Sequence, residues 1–159
     1  MRGDISVGQI MCLLTELLIR FRKANNYYCL ICNYMNKNYK TEARERWGNT
    51  DAYREHEQKT TNYTKEKWAE ANDGLMAIFA EFATLKNSGA TADSAEAQAL
   101  VAGLQAHITE NYYTCTDEIL AGLGKMYVAD ERFKKNIDKY GEGTSEFAAE
   151  AIAVFCREK

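Results

Sequence analysis

Apolar positions recur along most of this chain at intervals of three and four, the period of a helix with one buried face. Val7, Ile10, Leu14, Leu17 and Phe21 predict an amino-terminal helix of about five turns, with a seam suited to a partner helix of the same or a second chain. Tyr27 to Met35 holds no charge, and periodicity assigns it to neither helix nor strand; it reads as a weak helix or an adaptable segment. A short helix over Lys40 to Trp47 should stop at Gly48, and Asn49 or Thr50 should cap the next, which runs through Tyr63. Thr64 is placed to cap a long helix burying Trp68, Leu75, Ile78, Phe79, Phe82 and Leu85. That helix should end at Asn87-Ser88-Gly89, with Gly74 as a soft point inside it. Asp93 or Ser94 opens a helix with Leu100, Val101, Leu104 and Ile108 inward, and the pattern continues toward Tyr127 with at most a kink near Tyr112 and Tyr113. Asp130 should cap a short helix reaching about Lys139. Gly141 and Gly143 then make a turn, and Thr144 is expected to cap a last helix burying Phe147, Ala151, Val154 and Phe155.

Composition supports the helical reading. The 159 residues include no proline, so no ring interrupts the amide ladder. A chain of this length buries roughly two-thirds of its unfolded surface and needs no disulfide or structural metal. An all-α fold follows. Residues 1–40 carry six basic and two acidic groups, against fourteen and twenty-one in residues 41–159. An acidic body lacks the basic stripe that phosphate neutralisation requires, so nucleic acid is not expected as a direct partner. The most apolar run, Met11 to Leu18, is broken by Glu16 and too short to span a bilayer. No secretory cleavage pattern follows it, so a membrane is not expected as a partner and the cytoplasm is the expected location. The five cysteines, at 12, 29, 32, 115 and 156, make a poor disulfide framework, and the lone Cys29/Cys32 pair lacks the two further ligands of a zinc site.

On a helix continuing to Tyr127, Tyr112, Cys115, Ile119, Gly122 and Met126 would form one stripe. Gly122 leaves a hollow in it, which serves either close helix packing or the approach of a guest to the backbone. A thiolate at Cys115 could attack an electrophile, but Asp117 and Glu118 would raise its pKa and no histidine lies near in sequence. His107 and Glu110 are half of a carboxylate-histidine pattern whose other half is missing, so no metal or cofactor is expected. The four serines lie in no nucleophile elbow, and Gly141-Glu142-Gly143 is not a dinucleotide loop. Nothing reads as an enzyme. Eighteen aromatic residues, ten of them Tyr, would suit a wall that accepts bulky heteroaromatic ligands, although core tyrosines would look the same.

Three ordered motifs carry a family resemblance: Trp47-Gly48-Asn49-Thr50-Asp51-Ala52-Tyr53, Tyr63-Thr64-Lys65-Glu66-Lys67-Trp68, and Met126-Tyr127-Val128-Ala129-Asp130-Glu131-Arg132-Phe133 running on to Asn136-Ile137-Asp138. Together they resemble the TipAS antibiotic-recognition domain, the effector-binding part of MerR-type transcriptional regulators, from about Tyr39 to the carboxyl terminus. The resemblance implies a globin-like helical fold with a cleft for thiopeptides or other bulky drugs, and an amino-terminal segment, here residues 25–48, that closes over the ligand. Two departures stand out. The first 35 residues are too short and wrongly patterned for the winged helix-turn-helix and dimerising helix of full regulators, so DNA binding is not carried over. Thiopeptide-binding members have a second cysteine seven residues after the one matching Cys115; Gly122 stands there, which excludes covalent capture at that position.

The organisation expected is therefore an amino-terminal helix and adaptable segment over 1–35, followed by a TipAS-like domain over 36–159. The first functional reading is a non-catalytic protein that sequesters or senses bulky hydrophobic, thiopeptide-like antibiotics through Trp47, Tyr112, Tyr113, Cys115, Ile119, Gly122, Met126 and Phe133. The alternative is a helical interaction module, paired as a homodimer through the Val7–Phe21 helix and acting on a partner without a small ligand.

Overall fold

A computed structural model describes Thr41, Arg44, Glu45 and residues 48–157. The Val7–Phe21 seam, Tyr27 to Met35, Trp47 and most of the 25–48 segment lie outside the described residues. These form six helices and no strand: α1 (Asp51–Thr60), α2 (Lys65–Asn87), α3 (Ala95–Asn111), α4 (Asp117–Ala129), α5 (Glu131–Asp138) and α6 (Thr144–Arg157). The expected all-α class is what folds.

Side-chain oxygens start five of the six. Thr50, Thr64, Ser94, Thr116 and Asp130 each sit in extended backbone and accept a hydrogen bond from the amide two or three residues on. Each satisfies one of the first-turn amides that have no partner inside a helix, a contribution of about 1 kcal/mol apiece. Of the alternatives the sequence leaves open, Thr50 and Ser94 are used. α2 stops where Gly89 adopts φ +84°, a left-handed conformation that a side chain would strain.

α6 starts differently from the expectation. Thr144 is already helical, fully buried, and its hydroxyl donates to Gly141 O. The amide of Ser145 donates instead to Asp138 Oδ1 at 2.8 Å, so the last residue of α5 caps α6. Lys134 Nζ joins this junction, 2.9 Å from Asp138 Oδ2 and bonded to Glu146. A threonine at a helix start looks like a cap in sequence, but here burial turns its hydroxyl back onto the turn.

α6 packs on α2, α3, α4 and α5, and so sits at the middle of the bundle. Leu75, Phe79, Phe82, Val101, Leu104, Ile108, Leu120, Leu123, Ala148, Ala151 and Ile152 fill the space between these helices, each at most 2% exposed. Every large one contributes about 1.5–3 kcal/mol by leaving water. The faces expected inward hold, except that Trp68, Ile78, Leu85, Leu100, Val154 and Phe155 are half-buried at the margin.

Two glycines are needed for space. A Cβ on Gly124 would stand 3.0 Å from Ile152 Cγ2, so this position sets how closely α4 approaches α6. Gly74 is no soft point: a Cβ there would lie 2.6 Å from His107 Cε1, and the imidazole cannot yield because its Nε2 donates to Ala71 O at 2.7 Å. Gly103 has open space around it.

Two predictions follow from these arrangements. Gly103→Ala should raise stability by about 0.5–1 kcal/mol through helix propensity alone, whereas Gly74→Ala, the same change in α2, should lower it by about 1–3 kcal/mol through overpacking; thermal melts of the two variants check the opposite signs. Burial opposes ionisation of Asp138, but the Ser145 amide and the Lys134 ammonium outweigh it and hold the carboxyl below the ordinary aspartate range. A depressed folded pKa gives stability that is complete above the unfolded value of about 3.9 and is lost as pH falls through the folded one. The stability gap between the wild type and Asp138→Asn should thus be flat from neutrality to about pH 4 and shrink below it, as denaturant titrations at stepped pH would show.

Candidate functional site

The described candidate residues come from the break between α3 and α4, from α4 itself and, with Phe133, from α5. A continuous helix from Leu100 to Tyr127 does not form: α3 ends at Asn111, Tyr112 is its C-cap at φ −127°, ψ −62°, and α4 begins at Asp117. The run Tyr112-Tyr113-Thr114-Cys115-Thr116 consists of residues of poor helix propensity, and the Thr116 side chain accepts from Ile119 N to start a new helix with Asp117 and Glu118 at its positive end. The five-residue stripe read from the sequence is therefore divided. Ile119, Gly122 and Met126 share a face of α4, while Tyr112 and Cys115 belong to the preceding loop.

Tyr112, Tyr113, Cys115, Met126 and Phe133 are all buried in the one core cluster, with Ile119 packed against it. Gly122 is half-buried. Trp47 lies outside the described residues.

Several polar backbone groups of the loop are hydrogen-bonded. Tyr112 N and Tyr113 N both donate to Ile108 O, and Cys115 N donates to Thr109 Oγ1 at 3.1 Å. Gln105 Nε2 donates to Cys115 O at 3.0 Å and to Asp117 Oδ1 at 2.8 Å, tying the end of the loop back to α3. Buried amides without such bonds would each cost about 1–3 kcal/mol.

An aromatic cluster that sequence reading did not assign to the site adjoins Tyr112. Trp68 is its hub, with ring centroids 5.3 Å from Tyr63, 6.1 Å from His56 and 6.4 Å from Tyr112. The His107 ring lies 6.2 Å from Tyr112 on another side. Beneath the rings is a polar layer: Tyr112 Oη donates to Asn72 Oδ1 at 3.1 Å, and Tyr63 Oη to Asn111 O at 2.8 Å. Burial, followed by the neighbouring Tyr63, pushes the Tyr112 phenol well above its ordinary range, so it stays neutral. Tyr112 thus turns its hydroxyl inward and its ring toward the cluster. The sequence signal that could have found this group is the Tyr63-to-Trp68 motif, whose two aromatics end in ring contact across a capped turn.

The chemistry at Cys115 is that of an inert thiol. Burial first, then Cys156 and Asp117, push its pKa up to about 12. His107 is occupied with Ala71 O and Asn111, and His56 is buried in the aromatic cluster. Among the described residues no group of three or more His, Cys, Asp or Glu is arranged to hold a metal ion, and no helix is long and apolar enough to cross a membrane.

Comparison with known proteins gives the family of this helical domain. The TipAS antibiotic-recognition domain profile matches residues 39–155. The HTH-type transcriptional activator TipA of Streptomyces coelicolor is 42% identical over 114 residues, covering 72% of this chain and 45% of that protein, and the TipA of Streptomyces lividans gives the same figures. The HTH-type transcriptional activator mta of Bacillus subtilis is 36% identical over 118 residues, 74% of this chain and 45% of its own. A solved structure of TipAS from Streptomyces lividans in complex with nosiheptide superposes with a TM-score of 0.71 at 39% identity, covering 77% of this chain and 85% of that one. The chain belongs to the TipAS antibiotic-recognition domain family. It spans about 45% of the length of the curated relatives it matches.

At pH 7.5 a thiol of this pKa is ionised in about one molecule in 10⁴–10⁵. Peptide-resolved mass spectrometry after brief iodoacetamide treatment of the native protein should find Cys115 unlabelled while half-buried Cys156 reacts; fast labelling of Cys115 would restore the case for a nucleophile.

Proposed function

We propose that this chain is a reversible, non-catalytic receptor for bulky hydrophobic antibiotics of the thiopeptide type, acting in the cytoplasm either as a free-standing sequestering protein or as the sensing part of a MerR-type transcriptional regulator. The observation that carries the reading is the likeness, at 39% identity over 77% of the chain, to a helical domain solved with nosiheptide bound. We assign the guest to Tyr112, Tyr113, Cys115, Ile119, Gly122, Met126 and Phe133, with Trp47 from the preceding segment. Ile119 and Gly122 are the half-buried members of this group among the described residues, so the α4 face they share is the side on which the guest enters. The buried tyrosines then supply wide apolar faces at low conformational cost.

Recognition of this kind needs no covalent step. Gly122 offers no nucleophile, and Cys115 is held as a neutral thiol. Affinity would come from apolar burial, which must exceed about 1–2 kcal/mol for each backbone residue that closure orders. The 1–35 and 36–159 division belongs to the same proposal: the second part binds the drug, and the closing segment, residues 25–48, straddles the boundary.

Nosiheptide should raise the melting temperature, since a ligand that binds only the folded state stabilises it by about 2.7 kcal/mol at a hundred times its Kd. Gly122→Leu should abolish most of that shift while leaving the circular dichroism unchanged. The absence of any shift with nosiheptide and other thiopeptides would overturn the function, and an unaltered affinity in a folded Gly122→Leu protein would overturn the site.

A further inference from the structure

The loop that carries Tyr112, Tyr113 and Cys115 is gripped from outside by a residue that belongs to neither flanking helix. Thr114 N donates to Glu55 Oε2 at 3.0 Å, and Thr114 Oγ1 donates to Glu55 Oε1 at 2.9 Å, a bidentate contact across 59 positions of chain. The same side of α1 and the turn after it makes two more anchors. Lys59 Nζ donates to Thr109 O at 2.7 Å and Tyr63 Oη to Asn111 O at 2.8 Å, both on carbonyls in the last turn of α3. Lys59 Nζ also lies 3.5 Å from Glu55 Oε1, so the carboxylate and the ammonium hold one another in place over the loop.

All three anchors fall on the short run Thr109–Thr114. The last carbonyls of a helix have no intrahelical donors, and a cation is favoured beside them. α3 has no basic residue in its own last turn; Lys59 supplies one from α1. Glu55 does the complementary job at the next amide out. Burial is the largest single influence and opposes its ionisation, but the two Thr114 bonds and Lys59 together outweigh it and hold the carboxyl below the usual glutamate range.

We propose that Glu55 is a positioning residue for the ligand site, fixing through Thr114 the backbone from which Tyr112, Tyr113 and Cys115 are presented. It does not touch the guest. The Glu55 side chain is 36% exposed, and exposed polar contacts add little to global stability. Their value here is local: a loop held in the bound geometry beforehand spends less of the guest's contact energy on ordering. The part of the proposal that concerns affinity rests on the antibiotic-binding reading above, and the part that concerns the loop does not.

Hydrogen exchange on the whole chain tests the loop. Glu55→Ala should speed exchange at the Thr114 and Cys115 amides about tenfold or more, with amides in the middle of α2 and α6 unchanged and Glu55→Gln intermediate, because a neutral amide oxygen still accepts one bond. Unchanged exchange at Thr114 in Glu55→Ala overturns the proposal whatever the ligand. Nosiheptide titrations test the consequence: Glu55→Ala should weaken binding by about tenfold, Thr114→Ala should weaken it too, and the double variant should be no weaker than Glu55→Ala alone. Additive losses, or an affinity loss that merely tracks a falling melting temperature across all three variants, would reduce Glu55 to a fold-stabilising residue and defeat the inference. A wild-type protein that ignores nosiheptide would count against the antibiotic reading, and the exchange result would still decide the role of Glu55.

Discussion

Non-helical backbone inside an apolar core is permitted only if its amides and carbonyls find partners, and this constraint shapes the region from Ile108 to Leu120. Five residues leave the helical ladder there, and four different devices meet the cost. The Ile108 carbonyl takes two amides, Thr109 and Gln105 reach over from α3, and Glu55 reaches from α1. Thr116 then restarts the ladder. Those requirements explain why polar side chains at 55, 105 and 109 appear on helices that are otherwise committed to burying apolar faces. The same loop holds Tyr112, Tyr113 and Cys115 in directions that a straight helix would not allow.

The legibility of the fold follows the range of the interactions that set it. Caps are decided within three residues, so Thr50, Thr64, Ser94 and Asp130 could be read or narrowed to a pair directly, as could the stop at Gly89. The break at Tyr112–Thr116 was concealed because the three-four spacing of apolar residues runs straight across it. Spacing reports burial, and these residues are buried, but a loop braced by distant side chains is buried as well. Gly74 was misread for the same reason of range. In sequence it is a flexible spot; in space it is the seat of an imidazole 33 residues later. Thr144 looked like a cap because the actual donor of that function, Asp138, sits at the end of another helix.

Burial of the candidate residues was legible more than the geometry that joins them. Tyr112, Cys115, Ile119, Gly122 and Met126 were grouped on a helical stripe that does not exist, and yet Tyr112, Cys115 and Met126 share one core with Tyr113 and Phe133, against which Ile119 packs. Of the aromatic cluster around Trp68, the Tyr63 contact lies within one local motif, but His56 and Tyr112 join it from α1 and from the end of α3, which only tertiary packing brings together. Gly124, two residues from the glycine singled out in the sequence, meets Ile152 of α6. Neighbouring glycines on a helix face in different directions, and no local pattern says which faces a partner.

The cap that α5 provides for α6 carries a consequence for how this family of sequences can change. Most surface turns accept extra residues cheaply, because each doubling of loop length adds only about 0.6 kcal/mol. The turn from Lys139 to Gly143 is an exception, since it must return the chain to within 2.8 Å of the carboxylate it has just left, with Gly143 at φ +78° completing the reversal. An insertion there would detach α6, the helix on which four others lean, from its own starting point. Length variation among relatives should therefore be scarce after Lys139.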